Sequence, residues 1–188
     1  MGVSLSKGQS VSLAKSDGSA LRRVHLGLGW DAAKGMFGRA KAIDLDASCM
    51  VFDAAGNLID SVWFRQLNSK DGAIHHTGDN RTGLGDGDDE SIQVDLERLS
   101  ANSVTLVFVV NSFTGQDFSK IENASVRLVD MDTNSEFAKY DLSGSGRHTA
   151  QIMAKVSRKN GSWAMTAIGQ SASGRTFQDL LPATKPHL

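Results

Sequence analysis

The side chains most able to do chemistry in this sequence lie in one acidic, glycine-rich segment, from Asp79 to Glu90. Its twelve residues include five carboxylates, the amide of Asn80 and a single compensating base, Arg81. Carboxylates this close repel one another, which raises their pKa values, unless a cation neutralises them. Calcium binds about six to eight oxygens from carboxylates, amides and backbone carbonyls, and the segment offers all three kinds. The segment therefore predicts a calcium-binding loop, in which the glycines let the backbone curl around the ion.

The length of this loop matches that of an EF-hand, but two features exclude that assignment. Arg81 and Gly83 stand where the EF-hand motif requires oxygen-bearing side chains. The residues that follow, Ser91 to Leu96, alternate between polar and apolar as a strand does, whereas an EF-hand loop continues into a helix. The predicted calcium loop is therefore attached to a sheet.

A second acidic group, Asp44 and Asp46, begins a largely hydrophobic run. The two-residue period of a strand places both carboxylates on one face, where they can reach a common point, while the alternate residues enter the core. Asp31 follows a Gly-Leu-Gly-Trp sequence and could complete the group if its strand pairs nearby. We expect two calcium ions to share this acidic end of the protein. Taken singly, each segment fits a solvated turn or a wet strand face equally well.

Other chemically capable residues fit structural roles better. His75 and His76 directly precede the loop, but no further Cys or His lies nearby to complete a zinc or iron site. We therefore interpret both as exposed strand-end histidines. Cys49 stands in a hydrophobic run, where a small buried apolar residue is expected more often than a nucleophile.

The elements that must position these residues predict an all-β protein. Short alternating segments separated by Gly, Asn, Asp and Ser are typical of a β-sandwich of two mainly antiparallel sheets, with hairpin turns at Asp53 to Asn57 and Lys159 to Gly161. Val104 to Val110 is almost wholly apolar and predicts a central strand covered on both faces. The predicted strands are Arg22 to Leu28, Ile43 to Phe52, Ile59 to Phe64, Ser91 to Leu96, Val104 to Val110, Ala124 to Asp130, Glu136 to Leu142, Thr149 to Ser157 and Ser162 to Gly169. The predicted short helices are Phe118 to Asn123 and Thr176 to Leu181.

Length and composition limit the class of protein. The 188 residues fit a single domain, residues 1–181, followed by a mobile tail, residues 182–188, that contains both prolines. A net charge of -1 gives no basic field to attract nucleic acid. The single cysteine rules out an internal disulfide and suits a reducing cytoplasm. No apolar run approaches the roughly 18 residues of a transmembrane span. These features predict a soluble cytoplasmic protein.

Three blocks of the sequence resemble the signature of a known family. Gly27 to Asp31, Asp44 to Ser48 and His76 to Glu90 look like the signature blocks of the TerD family of bacterial tellurium-resistance and stress proteins, in the same order and spacing. The resemblance extends from Val3 to Gln170, which is nearly the whole chain. Within the family, segments such as Val62 to Arg65 are most similar to the TerZ branch.

The family resemblance implies a calcium-binding β-sandwich and a set of metal ligands. Carried over residue by residue, the implied ligands are Asp31, Asp44, Asp46, Asp79, Asn80, Asp88, Asp89 and Glu90, with backbone oxygens near Gly83 and Gly85 and with Asp86 as an additional candidate.

The resemblance also implies resistance to tellurite and general chemical stress, and assembly with other tellurium-resistance operon proteins at the inner face of the membrane. We expect a non-catalytic module in which calcium organises one end of the sandwich for a partner. The alternative is a metal-dependent hydrolase or phosphodiesterase, in which the acidic cluster holds catalytic ions and His75 or His76 acts as a base. Direct reduction of tellurite is not expected, because it would need redox thiols or a redox cofactor.

Overall fold

The computed structural model describes residues 2–15, 17–32, 44–78, 88–141 and 146–188. These residues form twelve strands, one α-helix and two short 3-10 helices. In chain order the strands are β1 (Val3–Ser4), β2 (Ser10–Ser12), β3 (Arg23–Ala32), β4 (Leu45–Phe52), β5 (Leu58–Val62), β6 (Ile74–His76), β7 (Glu90–Asp95), β8 (Thr105–Ser112), β9 (Ile121–Asp130), β10 (Ser135–Asp141), β11 (Ala150–Lys159) and β12 (Ser162–Ala172). The α-helix, α1, spans Phe177–Thr184, and the 3-10 helices span Phe118–Lys120 and Lys185–His187.

The strands form two six-stranded sheets. Sheet A has the order β1-β10-β9-β3-β7-β6, and sheet B has the order β2-β12-β11-β8-β4-β5. Strand pairing is antiparallel throughout the described residues, except that β1 runs parallel to β10. The predicted sandwich of two mainly antiparallel sheets is therefore confirmed.

Turn residues close the two hairpins as the sequence predicts. Between β4 and β5, Gly56 has a φ of 78°. Between β11 and β12, Asn160 and Gly161 have φ values of 52° and 79°, the consecutive positive values of a two-residue hairpin turn. Glycine and asparagine adopt these values at low cost, which is why they mark the turns in the sequence.

The main core lies between the two sheets, and alternation along each strand explains its composition. In β3, for example, Val24, Leu26, Leu28 and Trp30 are all buried and belong to this core. Side chains two residues apart point to the same face of a strand, so every second residue enters the core.

A second apolar layer covers the outer face of sheet B. Phe177 and Leu180 of α1 pack there against a hydrophobic cluster that includes Val107 and Val109 of β8. The alternate side chains of β8, Leu106, Phe108 and Val110, face the core between the sheets. The strand is consequently buried along its whole length, as its apolar sequence predicts.

The helices differ from the predicted ones. The first predicted helix is reduced to the 3-10 turn Phe118–Lys120, because Ile121 already begins β9 and pairs with Ala32 of β3. The second begins at Phe177 and continues to Thr184, so the boundary predicted after Leu181 falls inside α1. None of the described helices is long and apolar enough to cross a membrane.

The end of the chain contacts sheet B through polar groups. Lys155 Nζ donates a hydrogen bond of 2.7 Å to the His187 carbonyl oxygen, and His187 Nε2 lies 2.6 Å from Gln170 Oε1. Thr184 is fully buried. These contacts would restrain residues 182–188. The mobility that the sequence predicts for this tail is not tested by the structure.

One end of the sandwich collects the segments singled out by the sequence. There β3, β6 and β8 end while β4, β7, β9 and β11 begin, as the strand registers show. We call it the acidic end. The opposite end contains the hairpin turn after Phe52 and the connection that follows Asp95.

Candidate metal centre

Two short segments at the acidic end form the base of the predicted calcium loop. Thr77 N donates to the Ser91 carbonyl at 3.0 Å, and Ser91 N donates to Thr77 Oγ1 at 3.2 Å. These hydrogen bonds hold the chain before residue 79 against the chain after residue 87. Five of the predicted ligands lie between them, outside the described residues, namely Asp79, Asn80, Gly83, Gly85 and Asp86.

Glu90 lies inside the sandwich at this base. It is the first residue of β7, and alternation puts it on the inward face with Ile92 and Val94, where it is 0% exposed. Glu90 Oε2 accepts a hydrogen bond of 2.7 Å from Ala47 N in sheet B. Strand β5 pairs with β4 only as far as Cys49, so Ala47 lies beyond its reach, and Glu90 supplies the acceptor instead. The Glu90 side chain thus links the loop base in sheet A to β4.

His76 completes this buried link. Its Nδ1 accepts a hydrogen bond of 3.1 Å from Gly78 N, so in the neutral ring the proton is on Nε2. Nε2 lies 3.4 Å from Glu90 Oε2, within ion-pair distance but without the alignment of a hydrogen bond. The interpretation of the two histidines as exposed is correct for His75 and wrong for His76, which is 0% exposed. The reason is strand alternation, because His76 shares the inward face of β6 with Ile74.

Asp88 is held on the outer face of sheet A by two basic side chains. Arg127 Nε donates to Asp88 Oδ1 at 2.7 Å, and His25 Nε2 lies 3.1 Å from Asp88 Oδ2. Burial raises the pKa of Asp88, but the hydrogen bonds from His25 and Arg127 outweigh it, so that the net change in the pKa is downward. The carboxylate lies directly over Gly27, where a Cβ would overlap it. Asp88 therefore forms structural hydrogen bonds with Arg127 and His25, in addition to its predicted role as a metal ligand.

Asp89 ties the loop to the end of β3. Its Oδ2 accepts a hydrogen bond of 3.0 Å from Trp30 N, and its own backbone N donates to the Leu28 carbonyl at 2.8 Å. Asp31 follows in β3, in register with Glu122 of β9. The strand pairing therefore brings the backbone of Asp31 to the acidic end in sheet A, whereas Asp46 lies in β4 of sheet B, so the role of Asp31 as a ligand stays a prediction.

Asp44 and Asp46 reach the acidic end from sheet B. Asp44 is half-buried, and its carbonyl oxygen accepts a hydrogen bond of 3.2 Å from Phe113 N. Asp46 is 3% exposed, and its Oδ2 accepts a hydrogen bond of 3.3 Å from Asn111 Nδ2. Asp46 and Asn111 are direct cross-strand partners in β4 and β8.

Asn111 is a candidate that sequence reasoning missed. Its Nδ2 also donates to the Arg175 carbonyl, and its Oδ1 is buried and accepts no hydrogen bond within the described part of the chain. A buried amide oxygen beside a carboxylate is suited to a hard cation. The available signal was a polar residue that directly follows the apolar run ending at Val110.

The described residues do not by themselves complete a metal site. No group of three or more His, Cys, Asp or Glu side chains close enough to hold an ion is found among residues 2–15, 17–32, 44–78, 88–141 and 146–188. The structure does bring the loop base, Asp44, Asp46 and Asn111 to the same end of the sandwich. The full ligand set, including the loop residues outside the described ranges, stays a prediction.

Cys49 has the structural role expected from the sequence. It is 0% exposed in the core between the sheets. Burial raises the pKa of the Cys49 thiol, and the charge of Asp60 adds to that effect. Because the thiolate is the reactive form, this cysteine is poorly suited to redox chemistry.

The contact between Asp88 and Gly27 gives a stability prediction. Gly27→Ala should displace the Asp88 carboxylate from Arg127 and lower the free energy of unfolding by about 1 to 2 kcal/mol, measured by urea denaturation. Asp88→Ala removes the same carboxylate, so the double variant should be no less stable than Asp88→Ala alone. If the double variant lost as much stability as the two single variants together, the contact between Gly27 and Asp88 would not be the cause of the loss in Gly27→Ala.

Comparison with known proteins identifies the family. A model of the TerD domain matches residues 1–182. The chain is 50% identical over 184 residues to tellurium resistance protein TerZ of Serratia marcescens, covering 95% of this chain and 94% of that protein. It is 38% identical over 182 residues to general stress protein 16U of Bacillus subtilis (strain 168), covering 93% of each.

A solved structure supports the same fold. The crystal structure of a homologue of telluride resistance protein (TerD) from Streptomyces coelicolor A3(2) matches with a TM-score of 0.73 and 22% identity, covering 86% of this chain and 96% of that one. The predicted resemblance to the family, and to its TerZ branch, is confirmed by these matches. The chain therefore belongs to the TerD family of tellurium-resistance and stress-response proteins.

Proposed function

We propose that this protein binds calcium at the acidic end, in its role in tellurite resistance and the general chemical stress response, and that it acts as a non-catalytic, calcium-dependent interaction module. Two ions would be shared between the loop from residue 79 to residue 90 and the start of β4. Bound calcium would neutralise the acidic end and fix the loop relative to sheet B.

The observation that carries the proposal is the pair formed by Asp46 and Asn111. Both side chains are nearly fully buried, and Asn111 Oδ1 accepts no hydrogen bond from the described part of the chain. Burying an amide oxygen without a partner costs free energy, and a cation would offset that cost. The Asp46 carboxylate beside it supplies the negative charge that calcium prefers.

The buried link from His76 to Ala47 supports a composite site. Since Glu90 hydrogen-bonds β4 one residue after Asp46, a movement of the loop base would be transmitted directly to the Asp46 backbone. The Asp46 side chain itself lies on the other face of β4, with Met50, so the hydrogen bond from Ala47 fixes the position of the β4 backbone relative to the loop base. Calcium held by both segments would bind around this end of β4.

Catalysis by a histidine base is less well supported. His76 is 0% exposed and has Nδ1 occupied by the Gly78 N–H, so it offers no lone pair to a substrate. His75 Nδ1 lies 2.8 Å from Asn68 Oδ1, which favours a structural role for that ring as well. The two relatives compared above are named as a tellurium resistance protein and a general stress protein. We therefore propose interaction with other tellurium-resistance operon proteins at the inner membrane face in preference to hydrolysis.

Removal of calcium gives a direct test by thermal unfolding. A ligand that binds only the folded state raises the melting temperature, so protein stripped of metal should gain about 5 °C or more on addition of millimolar calcium. Asp46→Asn should reduce this gain by more than half, whereas Glu97→Gln, which removes an exposed charge at the opposite end, should leave it unchanged. An equal melting temperature with calcium and with chelator would overturn the proposal.

A further inference from the structure

Four aromatic side chains form a row beside the acidic end. Phe113 and Phe64 have ring centroids 5.6 Å apart, Phe64 and Trp63 4.8 Å, and Trp63 and Phe177 5.2 Å, all in edge-to-face contact. The chain has only eight Phe, three Trp and one Tyr, so a third of its aromatic residues lie in this row. We call these four residues the aromatic row.

The aromatic row is open to solvent at its outer end. Phe113 is 37% exposed, whereas Phe177 at the other end, the first residue of α1, is 4% exposed. Trp63 and Phe64 are partly exposed between them. Leu67, which is 38% exposed, follows in the same loop, and its carbonyl accepts a hydrogen bond from His76 N. Partly exposed Phe64 and exposed Phe113, from two separate loops, thus meet at this end of the sandwich and form a small contiguous apolar surface.

The aromatic row adjoins the proposed calcium site. Phe113 N donates its hydrogen bond to the Asp44 carbonyl, and Phe113 follows β8 two residues after Asn111. A partner on this surface would therefore contact the protein next to the bound ions.

Two arginines flank the aromatic row. Arg65 Cζ lies 5.7 Å from the Trp63 ring and 5.3 Å from the Phe64 ring. Arg175 lies next to Gly115, which follows Phe113 by two residues, and it precedes Phe177 by two residues. Both arginines are exposed, and neither forms an ion pair with a carboxylate among the described residues. Both guanidinium groups can bind phosphate from solvent, and Arg175 also interacts electrostatically with Asp179.

We propose that the aromatic row and its two arginines dock the protein onto an anionic lipid bilayer when calcium is bound. Aromatic rings favour the interface between headgroups and hydrocarbon, and Arg side chains beside them bind lipid phosphates. Without calcium, the carboxylates of the acidic end would repel the negatively charged surface of the bilayer. Calcium permits docking because it neutralises these carboxylates. This docking rests on the proposed calcium site, and it gives the protein a partner, the bilayer, and the residues that contact it.

The shape of the surface favours a bilayer over a small molecule. Two cavities in the described part of the chain, of about 750 Å³ and 170 Å³, are lined by residues other than the aromatic row. Rings that project from loops at an end of a sandwich can enter a lipid interface without a groove. The positive charges of Arg65 and Arg175 complement the negative charge of the bilayer. If the occupant of the aromatic row were instead an apolar segment of another protein, these charges would have no role.

Sedimentation with lipid vesicles tests the inference with the full chain. We expect binding to vesicles of phosphatidylethanolamine and phosphatidylglycerol in calcium, and at least tenfold weaker binding in chelator or to phosphatidylcholine alone. Phe113→Ser should weaken binding about tenfold, and Arg65→Glu by a similar factor. The matched controls are Leu58→Ser, which changes a 39% exposed hydrophobe at the opposite end, and Arg98→Glu, which reverses an exposed charge there.

The outcomes separate this inference from the proposed function. Each variant is first checked for an unchanged melting temperature and an unchanged calcium-dependent gain. If calcium stabilises the protein but no vesicle binds it, the bilayer inference is overturned, the calcium site stands, and a protein segment becomes the occupant of the aromatic row. Equal binding in calcium and chelator overturns the calcium requirement. If Leu58→Ser weakens vesicle binding as much as Phe113→Ser does, the aromatic row is not the surface that contacts the bilayer.

Discussion

Glu90→Ala is expected to lower the free energy of unfolding by about 3 kcal/mol in the presence of a chelator. The substitution removes the acceptor of the Ala47 N–H inside the core, leaves the His76 Nε2 proton facing a void, and opens a cavity where the side chain is 0% exposed. Urea denaturation in chelator measures the structural loss alone, because no metal is bound under that condition.

Two further variants identify the cause of that loss. Glu90→Gln retains an oxygen that can accept from Ala47 N, so its loss should be about 1 kcal/mol. Glu97→Ala removes an exposed glutamate at the opposite end and should change stability by less than about 0.5 kcal/mol. A stability of Glu90→Ala equal to that of Glu97→Ala would show that the buried link between the sheets does not contribute to the fold.

Asp46→Asn is expected to weaken calcium binding by about 100-fold or more, as measured by calorimetric titration of metal-free protein. The substitution replaces the buried carboxylate of a proposed ligand with a neutral amide next to Asn111. Its effect on stability should depend on the metal. In chelator the variant should be at least as stable as the parent, because a buried charge close to Asp44 has been removed. In calcium it should be less stable, because it lacks the stabilisation by bound ions.

This dependence on metal distinguishes a ligand from a packing residue. A residue whose role is packing would lower stability by the same amount in calcium and in chelator. Magnesium and zinc serve as controls in the same titration, since the oxygen-rich ligand set favours calcium over both. Unchanged calcium affinity in Asp46→Asn would remove β4 from the proposed site.

Hydrophobic patterning and turn chemistry were enough to predict most of the fold. The apolar run from Val104 to Val110 gave the central strand β8, and the Asn160-Gly161 turn gave the hairpin of β11 and β12. The covering of sheet B by α1 was harder to predict. Its contact residues, such as Phe177 and Leu180, are few and lie in an eight-residue helix, too short for a strong helical period.

The candidate site was predicted in part, for a similar reason. Sequence reasoning located the two acidic segments that the strand registers bring to one end. It did not predict that His76 is buried, because the buried face of a three-residue strand cannot be read from its own alternation. It also missed Asn111, because the pairing of β4 with β8 that places it opposite Asp46 is a contact between residues far apart in sequence.

Whether the loop and β4 share bound calcium can be seen in a structure of crystals grown with calcium. We expect calcium density between the loop from residue 79 to residue 90 and the start of β4. Asp46 should bind an ion, and Asn111 Oδ1 should bind the same ion or one of its waters. Calcium held by the loop alone, with Asp46 and Asn111 more than about 5 Å from any ion, would show that the site is not composite.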